Sequence, residues 1–108
     1  MRESLRNRYK YEAERLLVGE TVIFQPKGDS MSGKIESGQE VRLRPLKENE
    51  SQEGDIALCK LRKLRMLHLV VAREEDKYII GNNRGEINGT IDRGAIFGKA
   101  IFVAGKAL

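Results

Sequence analysis

The sequence predicts a mainly β fold: one domain of antiparallel strands with a single N-terminal α-helix. Three observations predict it. Short β-branched and aromatic runs recur after residue 20, turn residues separate them, and helical periodicity is confined to the first 17 residues. A length of 108 residues fits one modest core. We therefore expect an N-terminal helical segment over residues 1–19 and a β domain over residues 20–108.

The helix is predicted over residues 3–17. Apolar side chains recur there at helical spacing, and charged residues fill the other positions. Gly19 is placed to end the helix.

The strands follow from alternation and from turn residues. Pro45 suggests that the second strand lies near a sheet edge, and the glycine- and asparagine-rich residues 82–94 predict a long loop. The predicted strands cover residues 21–25, 39–46, 56–63, 65–74, 76–82 and 95–105.

Composition bounds the function. The longest apolar runs are too short to span a membrane, and the charged N-terminus is unlike a secretory signal, so we expect no membrane association and a cytoplasmic protein. The chain has one cysteine, Cys59, and one histidine, which are too few to predict a His/Cys zinc site. No cofactor motif is present either, so we expect neither metal nor cofactor. Cys59, in an apolar run, is predicted to be a core residue.

The net charge of +4 permits contact with nucleic acid without requiring it. The densest basic stretch is KLRKLR, residues 60–65. It is typical of a solvated strand face or hairpin, and a phosphate-binding patch is the alternative.

The polar turn KGDSMSG, residues 27–33, contains the apolar Met31. Two interpretations are open: an ordinary connection with one buried anchor, or a nucleophile at Ser30 with Met31 packed beneath it. A serine hydroxyl needs a base within hydrogen-bond reach, either His68 or a lysine of lowered pKa. Alternation places His68 on one strand face with Met66 and Val70. A core or rim histidine satisfied by a hydrogen bond is the alternative reading.

Four marks in order strengthen the nucleophile interpretation. GDSM (28–31), SGKIESGQEV (32–41), EGDIALCKL (53–61) and IIGNNRGEINGTIDRGAIFGKA (79–100) together resemble the superfamily of LexA-type self-cleaving repressors, UmuD-type proteins and type I signal peptidases. The resemblance covers most of the chain. It implies a serine peptidase-like β fold, a peptide or protein as substrate, and Ser30 as the nucleophile.

The resemblance also implies the rest of the site. His68 stands where most members have a catalytic lysine, as in signal peptidases of the endoplasmic-reticulum type. The resemblance implies a Ser30–His68 dyad, oxyanion contacts from Gly28 and Asp29, and a small apolar substrate pocket around Met31.

The third member of the site is less well specified by the resemblance. Asp92 is the nearest match to the acidic residue that assists the base, and Glu86 is a weaker one. The aspartate that precedes the paired asparagines in the family is replaced by Gly81.

Two other functions remain open at this stage. One is a catalytically silent binding or assembly module of the same fold, for which a homodimer formed through strand edges is expected. The other is a small nucleic-acid-binding β domain, supported by the charge and by residues 60–65.

Overall fold

The computed structural model describes residues 8–27, 31, 33–47 and 53–108. Within them the fold is mainly β, as predicted, with one α-helix and eight strands in a single sheet. The elements are α1 Lys10–Leu17, β1 Val22–Phe24, β2 Val41–Pro45, β3 Ile56–Leu61, β4 Leu64–Glu74, β5 Lys77–Gly81, β6 Ile87–Asp92, β7 Ile96–Val103 and β8 Lys106–Ala107.

Every strand pair in the sheet is antiparallel. The strand order is β1-β2-β7-β3-β4-β5-β6, with β8 added beside β7. Strands β3 to β6 follow one another as a meander, whereas β7 crosses back to lie between β2 and β3. The two edges of this path are therefore β1 and β6.

Helix α1 begins later than the predicted residue 3. Tyr9 has a left-handed φ of 62°, which interrupts helical geometry immediately before Lys10, and residues 3–7 lie outside the described residues. The helix ends before Gly19, whose φ of 90° favours glycine. Leu16 packs on β7 at Gly98, where an added Cβ would lie 3.0 Å from the leucine side chain.

The sheet separates two apolar clusters, since alternate residues of each strand point to opposite faces. The helix-side cluster consists of Ala13, Leu16, Val22, Met31, Ile35, Val41, Leu43, Ile56, Leu58, Leu67, Ala100 and Val103. The far-side cluster consists of Ala57, Cys59, Val70, Tyr78, Ile80, Ile91 and Ile96.

One prediction about the sheet was wrong. Residues 82–94 are not one long loop, because they contain β6 and a short 3₁₀ helix, Arg93–Ala95. Gly89 is suited to this strand because Leu61 packs against it, 2.9 Å from where a Cβ would lie. Strand β2 lies near an edge, as predicted, with only the three-residue strand β1 outside it. Pro45 is accommodated because β1 pairs only with Val41–Leu43 and ends before it.

Candidate active site

The segment that carries the candidate nucleophile is anchored by Met31. Gly28, Asp29 and Ser30 themselves lie outside the described residues. Met31 is 4% exposed and belongs to the helix-side cluster. Its carbonyl accepts hydrogen bonds from the N–H groups of Lys34 (2.9 Å) and Ile35 (2.8 Å). The chain therefore makes one helical turn directly after Ser30, and the prediction of a buried anchor at Met31 is confirmed.

His68 lies in β4, directly opposite Ala57 of β3. Its neighbours two residues away, Met66 and Val70, both pack in the far-side cluster, as the alternation predicted. The ring is half-buried. Its Nδ1 atom is shielded from solvent and has no hydrogen-bond partner within the described part of the chain. The backbone of the adjacent residue Leu67 influences the ring by hydrogen bonding, but no bond of normal geometry to Nδ1 forms within the described residues.

Burial lowers the pKa of the His68 imidazole below its usual 6.5, because the cationic form loses solvation. The Leu67 backbone acts in the opposite direction and is the smaller influence. The ring is therefore neutral at pH 7 and able to accept a proton.

A tight turn follows β5 beside His68. The Oδ1 atom of Asn82 accepts hydrogen bonds from the N–H groups of Arg84 (2.8 Å) and Glu86 (3.2 Å), and the Asn82 N–H donates to the Glu86 carbonyl (3.0 Å). Asn82 is buried and builds this turn, a role that the sequence indicates only through its Asn-Asn-x-Gly pattern.

The turn also explains the glycine at position 81. A Cβ at Gly81 would lie 2.4 Å from the Glu86 carbonyl oxygen and 2.8 Å from Val71. No side chain fits at position 81 without displacing backbone.

The Met31–Ile35 turn and the Asn82–Glu86 turn approach each other at Gly33 and Asn83. An added Cβ at Gly33 would lie 2.9 Å from the Asn83 side-chain amide. Leu69 pairs with Gly81, and continuing this register by one residue places Asn82 opposite His68. The hydrogen bond from the Asn82 N–H to the Glu86 carbonyl extends this cross-strand row to Glu86. With strands about 4.8 Å apart, Glu86 lies two strands, or about 10 Å, from His68 along this row.

Asp92 lies at the other end of β6. It pairs with Lys77 both in the strand register and as an ion pair. Asp92 also lines one groove with Lys60 and Arg65 of the β3–β4 pair. The described ion-pair partner of Asp92 is therefore Lys77 rather than His68.

The Gly54-Asp55 pair has a role in the sheet. Gly54 has a φ of 93°, which favours glycine. Its N–H donates to the Val70 carbonyl, and the Val70 N–H donates to the Asp55 carbonyl, both at 2.8 Å. The Asp55 carboxylate pairs with Lys99 of β7 at 3.7 Å. These contacts connect β3, β4 and β7 next to the His68 row.

Cys59 is fully buried, as predicted, and burial raises the pKa of its thiol to about 12. The thiol therefore stays protonated and unreactive at neutral pH. Among the described residues, no group of three His, Cys, Asp or Glu side chains is arranged to hold a metal ion.

The eight-residue helix of the described part of the chain is too short to cross a bilayer. No protein-family model matches the chain, and no curated protein sequence matches it.

Proposed function

We propose that this protein is a serine peptidase-like domain in which Ser30 is the nucleophile and His68 is the general base. The observation that carries the proposal is the state of the chain's single histidine. Its ring is half-buried and neutral at pH 7, and its Nδ1 atom forms no well-aligned hydrogen bond with a described residue. A neutral imidazole of this kind can take the proton of an attacking alcohol.

The surroundings of His68 support the same proposal. The Met31–Ile35 turn follows Ser30 directly, and Gly33 within it contacts Asn83 beside the His68 row. The candidate nucleophile and the candidate base thus belong to segments that approach one another, although they are distant in sequence.

In the proposed reaction, Ser30 Oγ attacks a peptide carbonyl while His68 accepts the hydroxyl proton. An acyl-enzyme forms and the proton passes to the leaving amine; His68 then activates a water molecule that releases the acyl group. The N–H groups of Ser30 and of Gly28-Asp29 are the proposed donors to the oxyanion.

Glu86 is the better candidate for the residue that orients the imidazole. It lies in the same cross-strand row as His68, whereas Asp92 pairs with Lys77 at the far end of β6. The proposal therefore assigns Asp92 no role in the reaction. Replacing Glu86 with Gln should slow the reaction, and replacing Asp92 with Asn should leave its rate unchanged.

A fluorophosphonate that reacts with activated serines tests the dyad without knowledge of the substrate. Intact-mass and peptide analysis should find one adduct, on Ser30, formed at a rate that rises with pH through the lowered His68 pKa and is then constant. Ser30→Ala and His68→Gln should abolish it. Ser37→Ala is the matched control in the same loop and should react like the wild type. Equal labelling of wild type and His68→Gln would refute the dyad.

A second candidate is a binding or assembly module of the same fold without activity. One observation favours it: Met31 packs in the helix-side cluster, whereas the His68 side chain shares a face with the far-side cluster. Large apolar side chains are also exposed on both edge strands, Ile23 on β1 (53%) and Ile87 on β6 (58%). Such edges pair with other strands. Light scattering should then detect a homodimer that Ile87→Lys dissociates.

A further inference from the structure

The β3–β4 hairpin forms a basic projection. Its turn exposes Arg62 and Lys63, and Lys60 faces Arg65 across the two strands just before the turn. The sequence from residue 56 to residue 72 contains no Asp or Glu. No acidic side chain within the hairpin therefore neutralises its positive charge.

The acidic side chain of Asp92, which lies close to the hairpin, is already paired. Its partner in the ion pair is Lys77. Among the residues that the structure describes, none forms an ion pair with Lys60, Arg62 or Lys63. The short 3₁₀ helix that follows Asp92 packs against β3 and adds the cation Arg93 to the same end of the molecule.

A groove of about 530 Å³ adjoins this hairpin on the helix side. Lys60, Arg65 and the paired Asp92 line its rim, and an apolar floor includes Leu17, Ala95 and Phe97. Leu17 is 68% exposed, and Phe97 is half-buried against the helix-side cluster while also lining the groove. Cations and an aromatic ring thus share one concave surface.

We propose that this groove and hairpin bind single-stranded nucleic acid. An unpaired base packs on Phe97 and Leu17, and the phosphates on either side contact Lys60 and the exposed turn cations Arg62 and Lys63. Single-strand binding sites combine these two features, a cationic track for the backbone and an aromatic platform for a base. The groove lies on the opposite face of β4 from His68, so the proposal does not depend on the reactivity of Ser30.

Fluorescence anisotropy with a labelled single-stranded DNA tests the proposal, in the wild type and in Ser30→Ala, across 20–300 mM salt. The double variant Arg62→Asn/Lys63→Gly removes two cations and suits the turn, where both residues have positive φ. Losing two phosphate contacts should reduce the slope of log affinity against log salt concentration by about 1.4, and the affinity at 0.1 M salt by about 25-fold. Lys10→Gln/Lys106→Gln changes the net charge equally at other surfaces and should keep the wild-type slope.

The aromatic platform has its own test. Phe97→Leu keeps an apolar side chain but removes the ring, so it should weaken binding about fivefold or more at every salt concentration without changing the slope. Three results would overturn the proposal: no binding at 20 mM salt, equal salt slopes in the two double variants, or tighter binding of an acidic peptide than of the DNA. The last result would assign the groove to a protein partner instead.

Discussion

Replacing Gly81 with Ala tests how the Asn82–Glu86 turn is attached to the sheet beside His68. The added Cβ would lie 2.4 Å from the Glu86 carbonyl oxygen, where at least 3.0 Å is needed, so the turn must move by roughly 0.6 Å or more. That shift stretches the 3.0 Å hydrogen bond between Asn82 and Glu86 and disturbs the two bonds to Asn82 Oδ1.

The cost follows from those three bonds. At about 1 kcal/mol each, their loss or weakening costs about 2–3 kcal/mol. The lower backbone freedom of alanine in the unfolded chain returns about 0.5–1 kcal/mol. The net loss in the free energy of unfolding should be about 2 kcal/mol.

Urea denaturation measures this loss as a shift in midpoint at constant slope. Gly94→Ala is the matched control, because its Cβ would meet nothing within 4 Å and its φ is not positive. The control should remain within about 1 kcal/mol of the wild type. If Gly81→Ala proved as stable as Gly94→Ala, the close approach of the turn to the strand would be refuted.

Three further predictions concern the core, the histidine and the hairpin. Met31→Ala should lower the free energy of unfolding by about 2–4 kcal/mol, since it empties a buried site; a loss under 1 kcal/mol in urea denaturation would contradict the anchor role. Because the pKa of His68 is lowered in the folded state, the unfolded state protonates this imidazole more readily than the folded state does. Stability should be constant above pH 6.5 and fall as the pH decreases through the folded-state pKa, and thermal unfolding of His68→Gln should lack this component. Arg62→Asn/Lys63→Gly should raise the free energy of unfolding by about 1 kcal/mol, because φ values of 52° and 71° suit Asn-Gly; an unchanged urea midpoint would count against strain in the turn.

Much of the sheet could be predicted from local pattern. The alternation in β2 and the face of β4 that carries Met66 and His68 depend only on neighbouring residues, and both are confirmed. Strand β6 was missed because Gly89 and its asparagine neighbours are typical of loops. What makes it a strand is distant in sequence: pairing with β5 and the packing of Leu61 against Gly89.

The candidate site also depends in part on contacts between residues that are distant in sequence. Motif order suggested His68 as the base, and burial of the ring supports a neutral imidazole. The sequence leaves both Asp92 and Glu86 as candidates for the third residue, because strand register cannot be read from local pattern. The register pairs Asp92 with Lys77 and leaves Glu86 in the His68 row.

The distance from Ser30 Oγ to the nearer ring nitrogen of His68 tests the central proposal most directly. A crystal structure of the fluorophosphonate-free protein should give about 2.6–3.2 Å, or slightly more without a bound peptide. A hydroxyl on the helix side of β4, with the strand between it and the imidazole, would contradict the dyad and leave the binding-module alternative.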